Sequence, residues 1–518
     1  MDRTCSKVDT RVAPEHASTT APLHRLYTRP LAFLSVLCAA QLLLWTLAPT
    51  LVNDSPPLDV VENVAWGKEW IISSYKNPTL SSVLLELARL LTGEYGWPSY
   101  LLSQLFICST FVLVFLLGRQ PFGTERALVG TLLLTGVYYF SWPTPEFNQD
   151  IAQMPLWAGV AFTLWRATET RRTGWWIGLA LFAAAGMYAK LSTSVMLVAA
   201  AGWILFDGQT RRALTTSGPW IGLALFLIAV SPLAAWLIAN EFAPLQYAAS
   251  RGRYHALSAP MFLLWQAIVM LPMIGMLGAS GVLTGNRTGS PTQPARSELE
   301  KRFVRYLAFM TVSPILIAVG MTAVANTGAK LMWGVPMLNL VGLLATSLTW
   351  HHFDSKALKR LVYCAMTVLA AVPAGYAAAV AYSPLLRGNP KRQNWPQAEI
   401  ATRMGEIWTR ATGQPLRIVA GRDNWLAGLV ALSCCEAPPS MYTNADFALS
   451  PWITKERIDR EGVLIVWQDG DLEMSAKLVQ LIGSHERGIQ HFKFPRFPQL
   501  APINVRYAVL PPQAERRP

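Results

Sequence analysis

The chain has 518 residues, of which 52% are hydrophobic and 14% charged, with 20 Trp and a formal net charge of +13. Soluble domains carry about 25% charged residues, so this composition excludes a disordered chain, a collagen-like chain and an ordinary soluble enzyme. The basic residues are spread thinly between apolar runs, which speaks against nucleic acid as a partner. The average also hides a split. Residues 1–382 hold 27 Lys+Arg and 18 Asp+Glu, about 12% charged, whereas residues 383–518 hold 17 and 13, about 22%. The first part reads as membrane and the second as a water-soluble domain.

After a polar arm (1–30), about eleven apolar runs approach the ~20 residues that a bilayer-spanning helix needs. They are Leu31–Val52, Tyr100–Leu117, Ala127–Phe140, Ile151–Trp165, Trp175–Tyr188, Ser192–Phe206, Trp220–Ile238, Met261–Leu283, Val304–Val324, Leu331–Trp350 and Leu361–Tyr382. The third to sixth are short and read as tilted or partly interfacial. With a cytoplasmic N-terminus, the inner loops hold 15 basic residues against 7 in the outer loops. An odd number of spans then places residues 383–518 outside. No small-residue cleavage site follows the first run, so it reads as a retained anchor rather than a signal peptide. Cys38, Cys108 and Cys364 lie in apolar runs and Cys5 in the arm, while Cys434 and Cys435 are adjacent; none shows metal-site spacing.

The outer segment 53–98 carries the densest chemistry. In Asp59-Val-Val-Glu62-Asn-Val-Ala-Trp66-Gly-Lys-Glu69-Trp70, positions 59, 62, 66 and 69 share one helical face, with Val60, Val61, Val64 and Ile71 opposite. This predicts a helix lying on the outer membrane surface, apolar side down. Asp59 and Glu62 also have capping-box spacing, so their carboxylates serve a helix end, catalysis or both. In Tyr75-Lys-Asn-Pro-Thr-Leu80, Pro78 suits the start of the next helix and Lys76 sits at the height of a lipid phosphate.

The next outer loop, 141–150, brings Glu146, Asn148 and Asp150 to the same membrane face, with Asp150 also placed to N-cap the following helix. Oxygen-rich clusters of this kind suit Mg²⁺, Mn²⁺ or Ca²⁺, which makes Glu62 and Asp150 the metal candidates. Lys190 interrupts two apolar runs at their outer end, as a hairpin tip or an intramembrane functional residue. Arg251, Arg253, Tyr254 and His255 form a basic-aromatic outer cluster, and Lys330 precedes Trp333 and Pro336 at another outer helix end. Each cation has an interfacial, snorkelling explanation, but together they set cations and carboxylates on one face.

The stretch Pro57-Leu-Asp59-Val-Val-Glu62…Trp66-Gly…Trp70…Tyr75-Lys76-Asn77-Pro78-Thr79-Leu80 resembles the first outer loop of bacterial glycosyltransferase family 39, within the GT-C superfamily. The family includes lipid A aminoarabinose transferases and relatives of the protein O-mannosyltransferases. The resemblance continues through Phe147-Asn148-Gln-Asp150, the Tyr188-Ala-Lys190 junction and Lys330…Trp333…Pro336. It implies a multi-pass enzyme of the bacterial inner membrane that uses a polyprenyl-phosphate sugar as donor. It also implies inverting transfer on the outer face to an envelope acceptor, either glycolipid, polysaccharide or protein. Asp59 would be the catalytic base, aided by Glu62. Lys76, Lys190, Arg251, Arg253 and Lys330 would hold the donor phosphate, and some members bind a divalent cation near the loop carboxylates. Where the family often has Lys or His followed by Pro-Pro, this chain has Asn77-Pro78-Thr79, so the cation there is either supplied by Lys76 or missing.

Residues 383–518 open with a linker, Ser383–Pro396. Strands are predicted at Leu416–Gly421, Gly462–Trp467 and Val505–Leu510, and helices at Ala398–Thr412, Trp425–Ser433 and Leu472–Gly483. Their alternation predicts a small α/β domain that caps the site or binds acceptor. Asp423, Asp469 and Asp471 follow strand ends, as turn formers or as site residues. The competing function is a transporter or flippase, which would place ionisable groups near the bilayer midplane and often shows repeated halves. Neither feature is visible here.

Overall fold

The computed structural model describes residues 30–250, 257–283, 296–324, 328, 330–388, 390–435, 438–470 and 474–513. Arg251, Arg253, Tyr254, His255, Asp471 and the N-terminal arm lie outside them.

The apolar runs become helices. In chain order these are α1 Pro30–Val52, α2 Leu58–Gly67, α3 Leu80–Thr92, α4 Gly96–Phe122, α5 Thr124–Leu134, α6 Gln149–Thr170, α7 Thr173–Ala189, α8 Thr193–Phe206, α9 Gly208–Ala213, α10 Ser217–Ala239, α11 Ala243–Ser250, α12 Ser258–Ile268, α13 Leu271–Ala279, α14 Glu298–Val324, α15 Val341–Thr349 and α16 Ser355–Arg387. Helix covers the larger part of the expected spans, but fewer than the eleven expected reach bilayer length. Among the described residues, 6 helices are long and apolar enough to cross a membrane, counting α12 and α13 (Ser258–Ala279) as one, and the pair Leu331–Leu338 and Val341–His352, bent by 59°, makes a seventh. The protein is thus a multi-pass membrane protein. The short middle runs, α7 and α8 with 17 and 14 residues, fall below a full span.

A buried aromatic cluster of Trp165, Phe303, Tyr306 and Trp203 joins α6, α8 and α14, with ring centroids 4.8–5.2 Å apart along the chain of contacts. Beside it Arg302 donates to Asp207 at 2.8–3.2 Å, pairs with Glu169 and lies over the Trp165 ring. A buried guanidinium needs this full set of partners, because an unpaired charge there would be expensive. α5 and α15 cross at Gly130 and Gly342. A Cβ on Gly342 would stand 2.0 Å from the Gly130 carbonyl oxygen.

The C-terminal domain adds α17 Gln397–Thr412, α18 Asn424–Ser433, α19 Lys455–Glu461 and α20 Ala476–Ile482 to a five-stranded sheet. Its strands are β1 Ile418–Gly421, β2 Ser440–Thr443, β3 Val463–Gln468, β4 Glu486–Phe492 and β5 Ile503–Leu510, in the order β2-β1-β3-β5-β4. β1 pairs in parallel with β2 and β3, whereas β5 is antiparallel to β3 and β4. The sequence pattern reveals β1, β3 and β5 but not the two edge strands. β2 has four residues, too few to show a period, and β4 (Glu-Arg-Gly-Ile-Gln-His-Phe) is mostly polar.

The domain docks on α2. α18 lies so close that a Cβ on Gly428 would stand 2.3 Å from the Val61 side chain. Arg496 reaches Asp54 at 3.1 Å and the Leu51 carbonyl at 2.8 Å. The linker carbonyl of Gln393 accepts from Asp54 N–H at 2.7 Å, and that of Arg392 accepts from the Ser55 hydroxyl at 2.6 Å. This corrects the expectation for the first outer helix: Val60, Val61 and Val64 are buried by protein rather than laid on a membrane surface. Gly428→Val is expected to overpack this contact by about 1–3 kcal/mol. The melting temperature should drop and protease cleavage in the 388–396 linker should rise; wild-type values for both would contradict the docking described.

Candidate active site

The first outer loop, the second outer loop and two helix breaks meet around a cavity of about 670 Å³. Asp59, Glu62, Lys76, Glu146, Asn148, Asp150, Lys190 and Lys330 all line it, with Tyr138, Trp142, Tyr247, Trp333 and Tyr376 as aromatic walls. Of the site residues expected from sequence in the membrane part, those within the described residues therefore share one space.

α2 presents Asp59 in its first turn. Its cap is Pro57, with no side-chain hydrogen bond, so Asp59 and Glu62 do not form a capping box. The Asp59 backbone N–H donates instead to Glu146 Oε1 at 3.0 Å, and Asn148 donates from Nδ2 to Asp59 Oδ2 at 2.9 Å. Asn148 also N-caps α6, accepting from the N–H groups of Asp150 and Ile151 at 3.0 and 3.2 Å. The cap is thus Asn148 and not Asp150, which leaves the Asp150 carboxylate to pair with Lys190 at 2.7 Å. Lys190 sits where α7 ends and the chain turns into α8, its backbone extended.

Lys76 is the cation of the first loop. It pairs with Glu62 and lies 5.5–5.8 Å from the ring centroids of Trp66, Tyr75 and Tyr247. Burial acts to lower its pKa, but the Glu62 carboxylate outweighs that and holds Lys76 above its ordinary value. Pro78 precedes α3 by two residues, and Thr79 is the helix cap. Glu69, expected on the same face as Asp59, falls beyond the end of α2 in a turn, 3.8 Å from Lys68, and does not line the cavity.

Three contributors carry weak sequence signals. Asn63 is buried on α2. Its Oδ1 accepts from Ser81 and Ser82 hydroxyls at 3.0 and 2.7 Å and from Gln149 at 2.8 Å, while its Nδ2 donates to the Asp59 carbonyl at 2.6 Å. Asn424, the first residue of α18, donates to Glu62 and is itself held by the Thr443 hydroxyl at 2.6 Å. Tyr247 comes from the short helix α11. An Asn in a valine-rich stretch looks like a break in periodicity, and Asn424 and Tyr247 are far from the loop in sequence. Of the C-terminal aspartates, Asp423 caps α18 and Asp469 pairs with Arg506. Cys434 and Cys435 are both free thiols.

The two metal candidates are both paired with cations of the chain. Glu62 and Asp150 each carry a lysine, and among the described residues no three His, Cys, Asp or Glu side chains stand together as ligands would.

Glu146 is pushed up to about 8 by burial and then by the neighbouring Asp59 charge. A carboxyl raised from 4.5 to about 8 stays protonated in the folded chain while it ionises in the unfolded one. Its contribution to stability is complete below about 4.5 and is lost as pH rises through about 8. The melting temperature of wild type should therefore fall relative to Glu146→Gln across that window and level off above it. Parallel curves would show that Glu146 is already ionised.

Residues 76–236 match the family model described as dolichyl-phosphate-mannose-protein mannosyltransferase. No curated protein sequence matches the chain. Its fold is similar to that of ArnT from Cupriavidus metallidurans bound to undecaprenyl phosphate, with a TM-score of 0.63, 13% identity and coverage of 92% of this chain and 98% of that one. The apo state of the same protein gives a TM-score of 0.61 at 12% identity, with the same coverage of 92% and 98%. At this identity the likeness establishes the fold. The chain is a multi-pass membrane protein with a C-terminal α/β domain, its fold is similar to that of the ArnT structures, and residues 76–236 match the dolichyl-phosphate-mannose-protein mannosyltransferase family model.

Proposed function

We propose that this chain is an inverting glycosyltransferase that moves a sugar from a polyprenyl-phosphate donor to a hydroxyl of an envelope acceptor. The observation that carries the reading is the single cavity in which Asp59, oriented by Asn148, faces the same space as Lys76, Lys190 and Lys330. The family match over residues 76–236 and the fold shared with a protein crystallised with undecaprenyl phosphate support it.

The chemistry follows from the charges. The acceptor oxygen attacks the anomeric carbon, and the bond from that carbon to the phosphate oxygen breaks. The acceptor proton passes to the Asp59 carboxylate, which acts as base. The departing lipid phosphate gains negative charge, and the cavity lysines stabilise it as it develops. One displacement inverts the anomeric centre, so one base is enough. Protonated Glu146 accepts the Asp59 N–H without adding a second negative charge. Embedding in a membrane lets the polyprenyl tail stay in hydrocarbon while its head group meets the cavity. The loop-charge bias supports a bacterial inner membrane orientation with the N-terminus cytoplasmic, and the cavity and C-terminal domain periplasmic.

Two experiments test this. With a panel of undecaprenyl-phosphate sugars and membrane extract as acceptor, Asp59→Asn should lower transfer by about 10²-fold or more; an unchanged rate removes Asp59 as base. Removing Lys190 alone would strand the Asp150 carboxylate, so the charge-neutral pair Asp150→Asn with Lys190→Gln isolates the cation's role. The donor KM should rise about tenfold while the melting temperature stays near wild type. An unchanged donor KM would show that Lys190 serves only its ion pair.

A further inference from the structure

A second cavity, of about 1010 Å³, borders the first at Asp59 and Glu146. Asp59, Glu146 and Gln393 line both spaces, but Lys76, Lys190 and Lys330 line only the first. Apart from the Leu58–Asp59 turn and Glu146, the wall of the second cavity is built by the linker after α16 and by loops of the sheet domain. It therefore faces the water-soluble domain, not the hydrocarbon-facing helices.

Its chemistry differs from that of the lysine side. Lys391 and Arg392 are exposed on its wall, beside the amides of Gln393, Gln468 and Asn504. Arg392 is steadied 5.5 Å from the Trp425 ring. The Asp469 carboxylate on the same wall is taken up by Arg506, so away from Asp59 the charge offered to a ligand is positive. The linker is fixed in place, because Asp54 and Ser55 N–H groups donate to the Gln393 carbonyl at 2.7 and 3.2 Å. Planar amides and a guanidinium on a rigid wall suit vicinal hydroxyls and an acidic substituent. A peptide that adds as a strand would need a free sheet edge. The wall here is made by the ends of β3 and β5, which are both interior strands.

We infer that this second cavity is the acceptor subsite, and that it takes an anionic saccharide arriving from the water side, whose hydroxyl reaches Asp59 opposite the lysines that receive the leaving phosphate. The inference rests on the glycosyl-transfer reading and adds to it the acceptor's chemical class and its direction of entry.

The test uses the full chain in detergent with three probes: an oligogalacturonate, a phosphorylated glucosamine disaccharide and neutral maltotetraose. Binding is read by calorimetry. At least one anionic probe should bind about tenfold more tightly than the neutral one. A preference for the oligogalacturonate points to an acidic polysaccharide, and one for the phosphorylated disaccharide to a glycolipid head group. The double variant Lys391→Gln with Arg392→Gln should remove that advantage. Ala501→Trp, which fills the cavity from an exposed wall position, should weaken the same binding without touching a charge. Equal binding of all three probes, or full binding by both variants, overturns the inference. Donor consumption by the wild-type chain with membrane extract as acceptor reports on the transferase reading separately: if donor is consumed but the saccharide results fail, only the acceptor subsite falls.

Discussion

The cavity-bearing end of this protein depends on one buried amide. Asn63 sits in α2 among valines, and its side-chain oxygen ties that helix to two others. Its carbonyl oxygen gathers donors from α3 and α6, and its NH₂ returns to the Asp59 carbonyl. A buried amide left half-satisfied would cost more than the apolar residue it displaces. Because both its oxygen and its NH₂ are engaged, it sets the rotation of α2. That rotation turns the valines toward α18 and the Asp59 and Glu62 carboxylates toward the cavity.

Charge in the membrane part collects at two levels joined by α6. Asp150 lies at one end of that helix and Glu169 near the other, about 28 Å apart at 1.5 Å per residue. At one level the cations Lys76 and Lys190 pair with acids yet border a large cavity. At the other, Arg302 is enclosed by Glu169, Asp207 and an aromatic ring. The same rule, that a charge removed from water must be partnered, gives a working site where space remains and a structural clamp where none does.

The C-terminal domain belongs to the site and does not merely hang from the membrane part. Asn424 enters the Glu62–Lys76 pair from above, and Gly428 permits the close approach that lets it do so. Docking therefore couples the position of the domain to the geometry of the first-loop carboxylates.

Much of this was legible from sequence for a simple reason. Continuous apolar runs of bilayer length become helices in lipid, since only a helix satisfies its backbone hydrogen bonds within one segment. Helix positions and the division into two parts follow from that constraint alone. The choice of Asp59, Glu62, Lys76, Glu146, Asn148, Asp150, Lys190 and Lys330 also came from local patterns, because each interrupts an apolar run near a helix end. Local patterns could not say which carboxyl meets which cation. The face of α2 that is covered, the cap taken by Asn148 in place of Asp150, the isolation of Glu69, and the arrival of Asn63, Asn424 and Tyr247 were decided by packing between segments up to hundreds of residues apart. Spacing along one chain encodes helical phase, but burial and pairing depend on what the neighbouring helices bring, and only the tertiary structure supplies those neighbours.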